Sequence, residues 1–471
     1  MKFPHPDARI LPHKISCLSS PSKTTSNELS RVVGSLVGLA IGDALGASVE
    51  FRPHQYLVDH PTQDMQSGGT WSLQAGQWTD DTSMALCLAS SLIIYHGFNS
   101  YDQMVRYKWW YKKGFLSSTG VCFDIGNTTR ASLDEFCRRQ NMLKHHFRDF
   151  TDEQIDNLSL EQVRSVPGFD EYCSVSQQVG NGPLMRLAPV PLFYFRQPQD
   201  AVKYAGDSAR LTHGDIRAID ACRYYAALIV ATIHGETKEQ LLHERFYENH
   251  REWFETVELH HEVLHVARGS YKKRGGYEEG IRGKSYIVNT LEAALWAFWS
   301  DEDSFEKGVL KAVNLGDDTD TIAAVYGQLA GAYYTVVGIP EQWVEKLYAN
   351  TLIICVAESL YAEGSQSRND TVQQQQQQKQ KQMMMQPQNQ ITTQKTQFNQ
   401  SRGSFVSNPQ VSSVAKMDRI GYGPQAARTQ VQPLSQTHSG VKSGIDNSYH
   451  GKKKVKVDPS TLPPAGKPSG Q

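Results

Sequence analysis

The sequence has no CxxC pair. Its seven cysteines stand scattered at 17, 87, 122, 137, 173, 222 and 355, an odd number with no zinc-ribbon spacing, which predicts reduced thiols in an intracellular, cytoplasmic setting. A secretory leader is also missing, since MKFPHPDARILPHKISCLSSPSKTTS carries charges and prolines where a signal peptide needs an unbroken apolar stretch. No apolar run is long enough to span a bilayer. The best candidate, VVGSLVGLAIG from Val32 to Gly42, is cut short by Arg31 and Asp43 and reads as a buried core helix, so no membrane partner is expected. Alternating strand patterns are scarce, which argues against a sheet-based fold. After about Ser365 apolar residues become sparse, too few to offset the entropy of ordering that stretch.

What remains is an acidic, apolar-rich body and a basic tail. Residues 366–471 carry fourteen Lys or Arg against four Asp, a net charge of +10, which leaves −11 for residues 1–365 in a chain whose overall charge is −1. The body shows helical periodicity over 79–96, 215–234, 289–299, 305–313, 319–337 and 341–362, predicting one all-α domain over 28–365. It opens near Thr25, which stands three residues before Glu28 as in a capping box. Residues 1–27 read as a disordered leader, and the polar stretch 135–178 as a surface excursion. The tail, 366–471, reads as disordered, with a polyglutamine run at Gln373–Gln378. Its basic run Gly451–Asp458 (GKKKVKVD) is either a solvated charge cluster or a contact for nucleic acid or nuclear import, which leaves nuclear entry open.

Two acidic clusters carry the chemistry: Trp78-Thr79-Asp80-Asp81-Thr82 and Gly316-Asp317-Asp318-Thr319-Asp320-Thr321. Each opens an apolar helix, where one capping side chain would suffice. Adjacent carboxylates and hydroxyls occur at both, a denser supply of oxygen ligands than capping requires. Facing each other, they would repel by on the order of 4 kcal/mol per like-charge pair at 4 Å and an effective dielectric of 20. Hard cations would remove that repulsion, and oxygen-only donors favour Mg²⁺ or Mn²⁺ over zinc or copper. Gly34, Gly38, Gly42 and Gly46 line one stripe of the first helix, and Ala323, Gly327 and Gly331 line another, predicting close backbone approach between the two segments.

The strings GLAIGDALGASVEF, WTDDTSMAL, FDIGNTT, NGPLMRLAP, THGD and GDDTDTIAAVYGQLAGAYY, in order from about 34 to 338, resemble the ADP-ribosylglycohydrolases, particularly the dinitrogenase-reductase-activating type. The resemblance implies an all-helical hydrolase that uses two Mg²⁺ or Mn²⁺ ions to remove ADP-ribose from a modified protein or small conjugate, arginine-linked first, with serine or another O-link as alternatives. It implies Thr79, Asp80, Asp81, Asp318, Asp320 and Thr321 as metal ligands, with Asp320 bridging and Asp317 outside the set. By the same resemblance Glu50 and Asp124 are the acidic groups near the scissile bond, although Glu50 is otherwise an ordinary helix-end carboxylate and Asp124 or Asn127 an Asx-turn. The resemblance also implies that Asn127 lies near the reacting ribose. Asn181, Gly182, Met185 and Arg186 are implied as the turn whose backbone holds the diphosphate, His213 as a substrate contact, and Tyr286 as the ring that stacks on adenine. Two other readings stand beside this one. His261-Glu262-Val263-Leu264-His265 is an HExxH string of the kind zinc proteases use, but the motif is short and no third ligand follows in an obvious motif. A non-catalytic module that binds ADP-ribose without turnover is the other.

Overall fold

The computed structural model describes residues 1–16, 26–174, 177–255 and 258–365. The tail, with its polyglutamine and basic runs, lies outside them, as do Cys17 and Thr25. Among the described residues the regular structure is helical; the pairings of extended chain are the isolated bridges Gly68 to Leu73 and Gly180 to Tyr286. The longer helices are α1 (Asn27–Gly46), α2 (Asp80–Tyr95), α3 (Ser100–Lys113), α4 (Asn127–His146), α5 (Pro198–Arg210), α6 (Ile216–Ile233), α7 (Ile287–Ser300), α8 (Phe305–Val313), α9 (Thr319–Tyr334) and α10 (350–365).

The core is built around α1 and α9, which lie against each other along their whole length. Small residues make this approach available. A Cβ added at Gly34, Gly38 or Gly42 would overlap the carbonyl oxygens of Gly331, Gly327 and Ala323, and one at Gly46 would overlap the backbone of Asp320. The two small-residue stripes therefore meet as their spacing predicts, and they fix the end of α1 against the start of α9. Contrary to the expectation that Arg31 and Asp43 cut the run too short, residues 27–46 are long and apolar enough to cross a membrane by length and composition, but 89% of the apolar window is buried inside the domain, as in a core helix.

Helix starts and stops follow local chemistry. Ser26 caps α1, its hydroxyl accepting from Leu29 N at 3.1 Å, so the start falls one residue after the expected Thr25. The continuous helix expected over 341–362 is broken. Glu341–Lys346 ends, Ala349 takes φ 50°, and Tyr348 N donates to Gly76 O at 3.0 Å before α10 begins. That break carries Tyr348 onto the ring of Trp78, 5.2 Å away between centroids, beside the first acidic cluster.

Two regions expected to be peripheral are part of the packed body. Residues 1–16 lie against it: Pro6 and Pro12 are buried, Lys113 pairs with Asp7 at 2.5 Å, and His13 Nδ1 meets Tyr348 Oη at 2.6 Å. The stretch 135–178 is a surface excursion only in part. Its first third continues α4, where Leu133, Phe136, Gln140 and Leu143 form a buried stripe at helical spacing. Short helices follow, capped by Thr151 and Ser159, and buried Asp156 accepts from Trp109 Nε1 at 2.8 Å and from Lys108. The numerous polar residues of the segment hide a narrow apolar face. Among the described cysteines, 87, 122, 137, 173 and 222 are free.

Candidate active site

The close approach of α1 and α9 brings both acidic motifs to one place. Asp43, one turn before the end of α1, is buried and organises the first: it accepts from Thr79 N (2.8 Å), Thr79 Oγ1 (3.0 Å), Thr82 N (2.9 Å) and Thr82 Oγ1 (2.7 Å). These bonds hold the first turn of α2, so that Thr79 Oγ1 lies 3.2 Å from both Asp81 Oδ2 and Asp320 Oδ2. Thr321 Oγ1 reaches Asp81 Oδ1 at 3.2 Å, closing the ring between the two motifs. Asp318 sits at the more open side and accepts from Asn181 Nδ2 at 2.9 Å, which Thr290 Oγ1 also contacts at 3.0 Å. Five of the six residues expected as metal ligands are tied in by these bonds and their shared cluster, with Asp43 beneath them, and the sixth, Asp80, is buried where the charges of Asp124, Asp81, Asp43 and Asp318 act on it.

Glu50 completes the cluster from the other end of the α1 turn. Phe51 N donates to Asp317 O and Asp317 N to Arg52 O, both at 2.7 Å, tying the Glu50 segment to the second motif. The Asp317 carboxylate turns instead to Lys284 Nζ, 2.7 Å away. Glu50 is 5% exposed; it accepts from Trp71 Nε1 at 3.1 Å and makes a hydrogen bond with Asp124. Asp124 has a left-handed backbone, φ 57°, a conformation that Asp tolerates better than most residues and that turns its carboxylate to the cluster.

The electrostatics of this arrangement call for cations. Burial, then Asp320, Asp124 and Asp318, push the Glu50 carboxyl far above the usual range. Burial also raises Asp80, Asp81 and Asp320 well above it, and the charges acting on them are other carboxylates. Asp43 is pushed up to about 6 by burial, against the pull of its four hydrogen bonds from Thr79 and Thr82. Oxygen atoms of Asp43, Asp81 and Asp320 lie within 4.8 Å of one another, as do those of Glu50, Asp318 and Asp320. A buried set of mutually repelling oxygen donors, without His or Cys, fits a hard divalent cation.

The remaining predicted residues divide. Gly180 pairs with Tyr286 in an isolated bridge and Asn181 N donates to Ser285 O at 3.0 Å, which sets the Asn181 turn beside Tyr286 and the second motif. The turn is not a ready cradle of amides, however: those of Asn181, Leu184, Met185 and Arg186 already donate within the protein, and among the described residues of this turn Gly182 alone keeps a backbone N–H without an acceptor. The side chains of Met185 and Arg186 belong to the core. Arg186 is 0% exposed, donates to Thr212 Oγ1 at 2.7 Å and stands over the Tyr107 ring at 4.5 Å. His213 is likewise buried beneath the turn, where a Cβ at Gly182 would approach its Cε1 to 3.1 Å. Burial and then Arg186 hold its pKa well below the usual value, so it acts as a neutral support rather than an exposed contact. Asn127 is exposed at the first residue of α4.

A family model described as ADP-ribosylglycohydrolase matches residues 24–370. The chain belongs to this family. The ADP-ribosylarginine hydrolase Tri1 of Serratia proteamaculans is 35% identical over 339 residues, covering 71% of this chain and 80% of that protein. The ADP-ribosyl-[dinitrogen reductase] glycohydrolase of Rhodospirillum rubrum is 28% identical, covering 67% and 90%. A solved structure titled ADP-ribosylglycohydrolase-related protein complex superposes with a TM-score of 0.57 at 36% identity, covering 72% of this chain and 99% of that one. As an ADP-ribosylglycohydrolase, the protein is a hydrolase of the glycosidic bond that joins ADP-ribose to an acceptor.

In this ADP-ribosylglycohydrolase the HExxH string is not a zinc centre. Its helix spans only His261–Ala267; His261 and His265 are both exposed, and the local cluster of donor atoms joins His260, His261 and Glu262 without His265. Glu262 is occupied elsewhere, accepting from Tyr286 Oη at 2.5 Å and lying 3.5 Å from Arg217 Nη1. Asp43, Trp71 and this support for Tyr286 are the features that sequence reasoning missed. Asp43 alone left a signal, a carboxylate inside a buried glycine stripe.

Proposed function

We propose that the protein removes ADP-ribose from arginine side chains, with two Mg²⁺ or Mn²⁺ ions held by Thr79, Asp80, Asp81, Asp318, Asp320 and Thr321. The observation that carries this reading is the meeting of both acidic motifs at one buried centre with Glu50 beside it. The arginine acceptor is supported by the likeness to the ADP-ribosylarginine hydrolase of Serratia. Bound cations would neutralise the carboxylates, hold ribose hydroxyls and lower the pKa of a bound water. The protein's own residues then do the rest. Asn181 orients Asp318, Asp43 fixes Thr79 and Thr82, and Thr79 and Thr321 set the facing angles of Asp81 and Asp320. Glu50 and Asp124, hydrogen-bonded to each other, can hold and pass the proton needed when the bond to the anomeric carbon breaks. Tyr286, steadied by Glu262 and Arg217, would stack on adenine, and the Gly182 amide would meet the diphosphate. The setting is cytoplasmic, and the substrate an ADP-ribosylated protein or a small conjugate.

The test is release of ADP-ribose from arginine-linked and serine-linked ADP-ribosyl peptides, with and without Mg²⁺. Metal-dependent release from the arginine-linked peptide, lost in Asp318→Asn, is the expected result. Release from the serine-linked peptide alone would refute the acceptor assignment.

A further inference from the structure

Trp71 stands at the tip of a short hairpin whose base is closed by Gly68 N to Leu73 O at 2.8 Å and Leu73 N to Gly68 O at 3.0 Å. The hairpin cannot easily shift. Gly69, at φ 73°, lies so close to the backbone of Ala47 and Ser48 that a Cβ there would come within 2.8 Å of them, and Leu73 is buried. From this base the indole N–H reaches Glu50, while the ring stays 37% exposed. Phe123, the residue before Asp124, lies against it with centroids 5.7 Å apart and planes tilted by 54°. A half-exposed aromatic pair therefore borders the Glu50–Asp124 hydrogen bond, each ring next to one of the two carboxyls.

The pair lacks what several other rings of the molecule possess. Tyr56, Tyr204, Tyr247 and Tyr277 each carry a cation of their own, from Arg52, Lys203, Arg251 and Arg282. Among the described residues no lysine or arginine lies over Trp71 or Phe123, although acidic groups stand beside them. An aromatic wall beside carboxylates, without a protein cation, fits a planar cation supplied by the ligand.

We infer that Trp71 and Phe123 form the subsite for the guanidinium of the ADP-ribosylated arginine, and that Trp71 also positions Glu50 through its indole N–H. The inference rests on the arginine reading above. A serine-linked acceptor has neither the charge nor the flat face that these rings would recognise, so the subsite selects between acceptors. The ADP-ribose half of the substrate is held elsewhere.

The test compares wild type with Trp71→Phe, Trp71→Ala and Phe123→Ala in steady-state hydrolysis of the arginine-linked peptide, with ADP-ribose affinity measured by calorimetry in Mg²⁺ as the control for folding. Phe123→Ala and Trp71→Ala are expected to raise KM by about 5-fold or more, a shift typical of losing a cation–aromatic contact. ADP-ribose affinity stays within about 2-fold, as for a change outside its contacts. Trp71→Phe keeps a ring and loses the N–H, so KM holds while kcat falls. Unchanged KM in both alanine variants of an enzyme that cleaves the arginine-linked peptide would overturn the subsite alone. Wild type that fails to cleave that peptide would instead overturn the acceptor assignment and the subsite with it. Equal losses of ADP-ribose affinity and KM would show a structural role and also overturn the inference.

Discussion

Two places in this molecule bring metal-ligating side chains together, and they differ in what supports them. The acidic centre between α1 and α9 is buried, built from segments more than two hundred residues apart, and full of unrelieved like charge. The HExxH helix keeps both histidines of the string exposed, and its glutamate is already bonded to Tyr286. The first matches a ligand set to a fold that enforces it. The second matches only a string. A short motif becomes a site when the surrounding packing leaves its donors facing one another and short of a partner.

The largest expected effect sharpens this contrast. Asp320→Asn and Asp81→Asn should each lower ADP-ribose release by about 1,000-fold or more, since each removes a carboxylate from the centre that holds the charge-stabilising ions. His261→Ala and His265→Ala, exposed changes outside that centre, should leave release within about 2-fold of wild type. Steady-state assays on the arginine-linked peptide distinguish these outcomes.

Removal of the metal should follow, with a defined sign. Asp43 has its folded pKa raised to about 6 from 3.8, and Asp80, Asp81 and Asp320 are raised too. Raised carboxyls bind more protons folded than unfolded, so stability in chelator should fall as pH climbs from about 4 through 6 and beyond. Mg²⁺ at roughly 100 times its Kd should restore about 2.7 kcal/mol for each bound ion at neutral pH. Thermal unfolding across pH, with chelator and with Mg²⁺, checks both. A metal-free protein that grows more stable across this range would contradict the charge account.

Next in size is the packing that creates the centre. Gly38→Ala normally gains helix propensity, but the new Cβ would overlap Gly327 O, so the expected result is a loss of about 2 kcal/mol by urea unfolding. The smallest effect belongs to the other site. Glu262→Gln should weaken ADP-ribose binding by about 3-fold through a loosened Tyr286, without loss of metal dependence.

Much of the fold was legible in periodicity. The spans predicted at 79–96, 215–234 and 305–313 agree with α2, α6 and α8 to within a residue or two, because each has a long buried face. The glycine stripes foretold the contact between α1 and α9 because only a close backbone neighbour explains several glycines at four-residue spacing within helices. What was not legible depends on partners distant in sequence. His213 reads as a substrate contact and Arg186 as part of a backbone cradle, and nothing in their motifs shows that Thr212, Tyr107 and the turn above them draw both side chains into the core. Trp71 has no motif around it, and its relation to Glu50 arises from a hairpin fixed by Gly69 against Ala47. The stretch 135–178 hid its apolar stripe among polar residues.

The most direct test of the account is a Mn²⁺ titration followed by electron paramagnetic resonance on the full chain, comparing wild type, Asp320→Asn and the double variant His261→Ala with His265→Ala. The account predicts two bound ions in wild type and in the double histidine variant, and loss of both in Asp320→Asn. Binding that survives Asp320→Asn and disappears with the histidines would place the metal centre at the HExxH helix and contradict it.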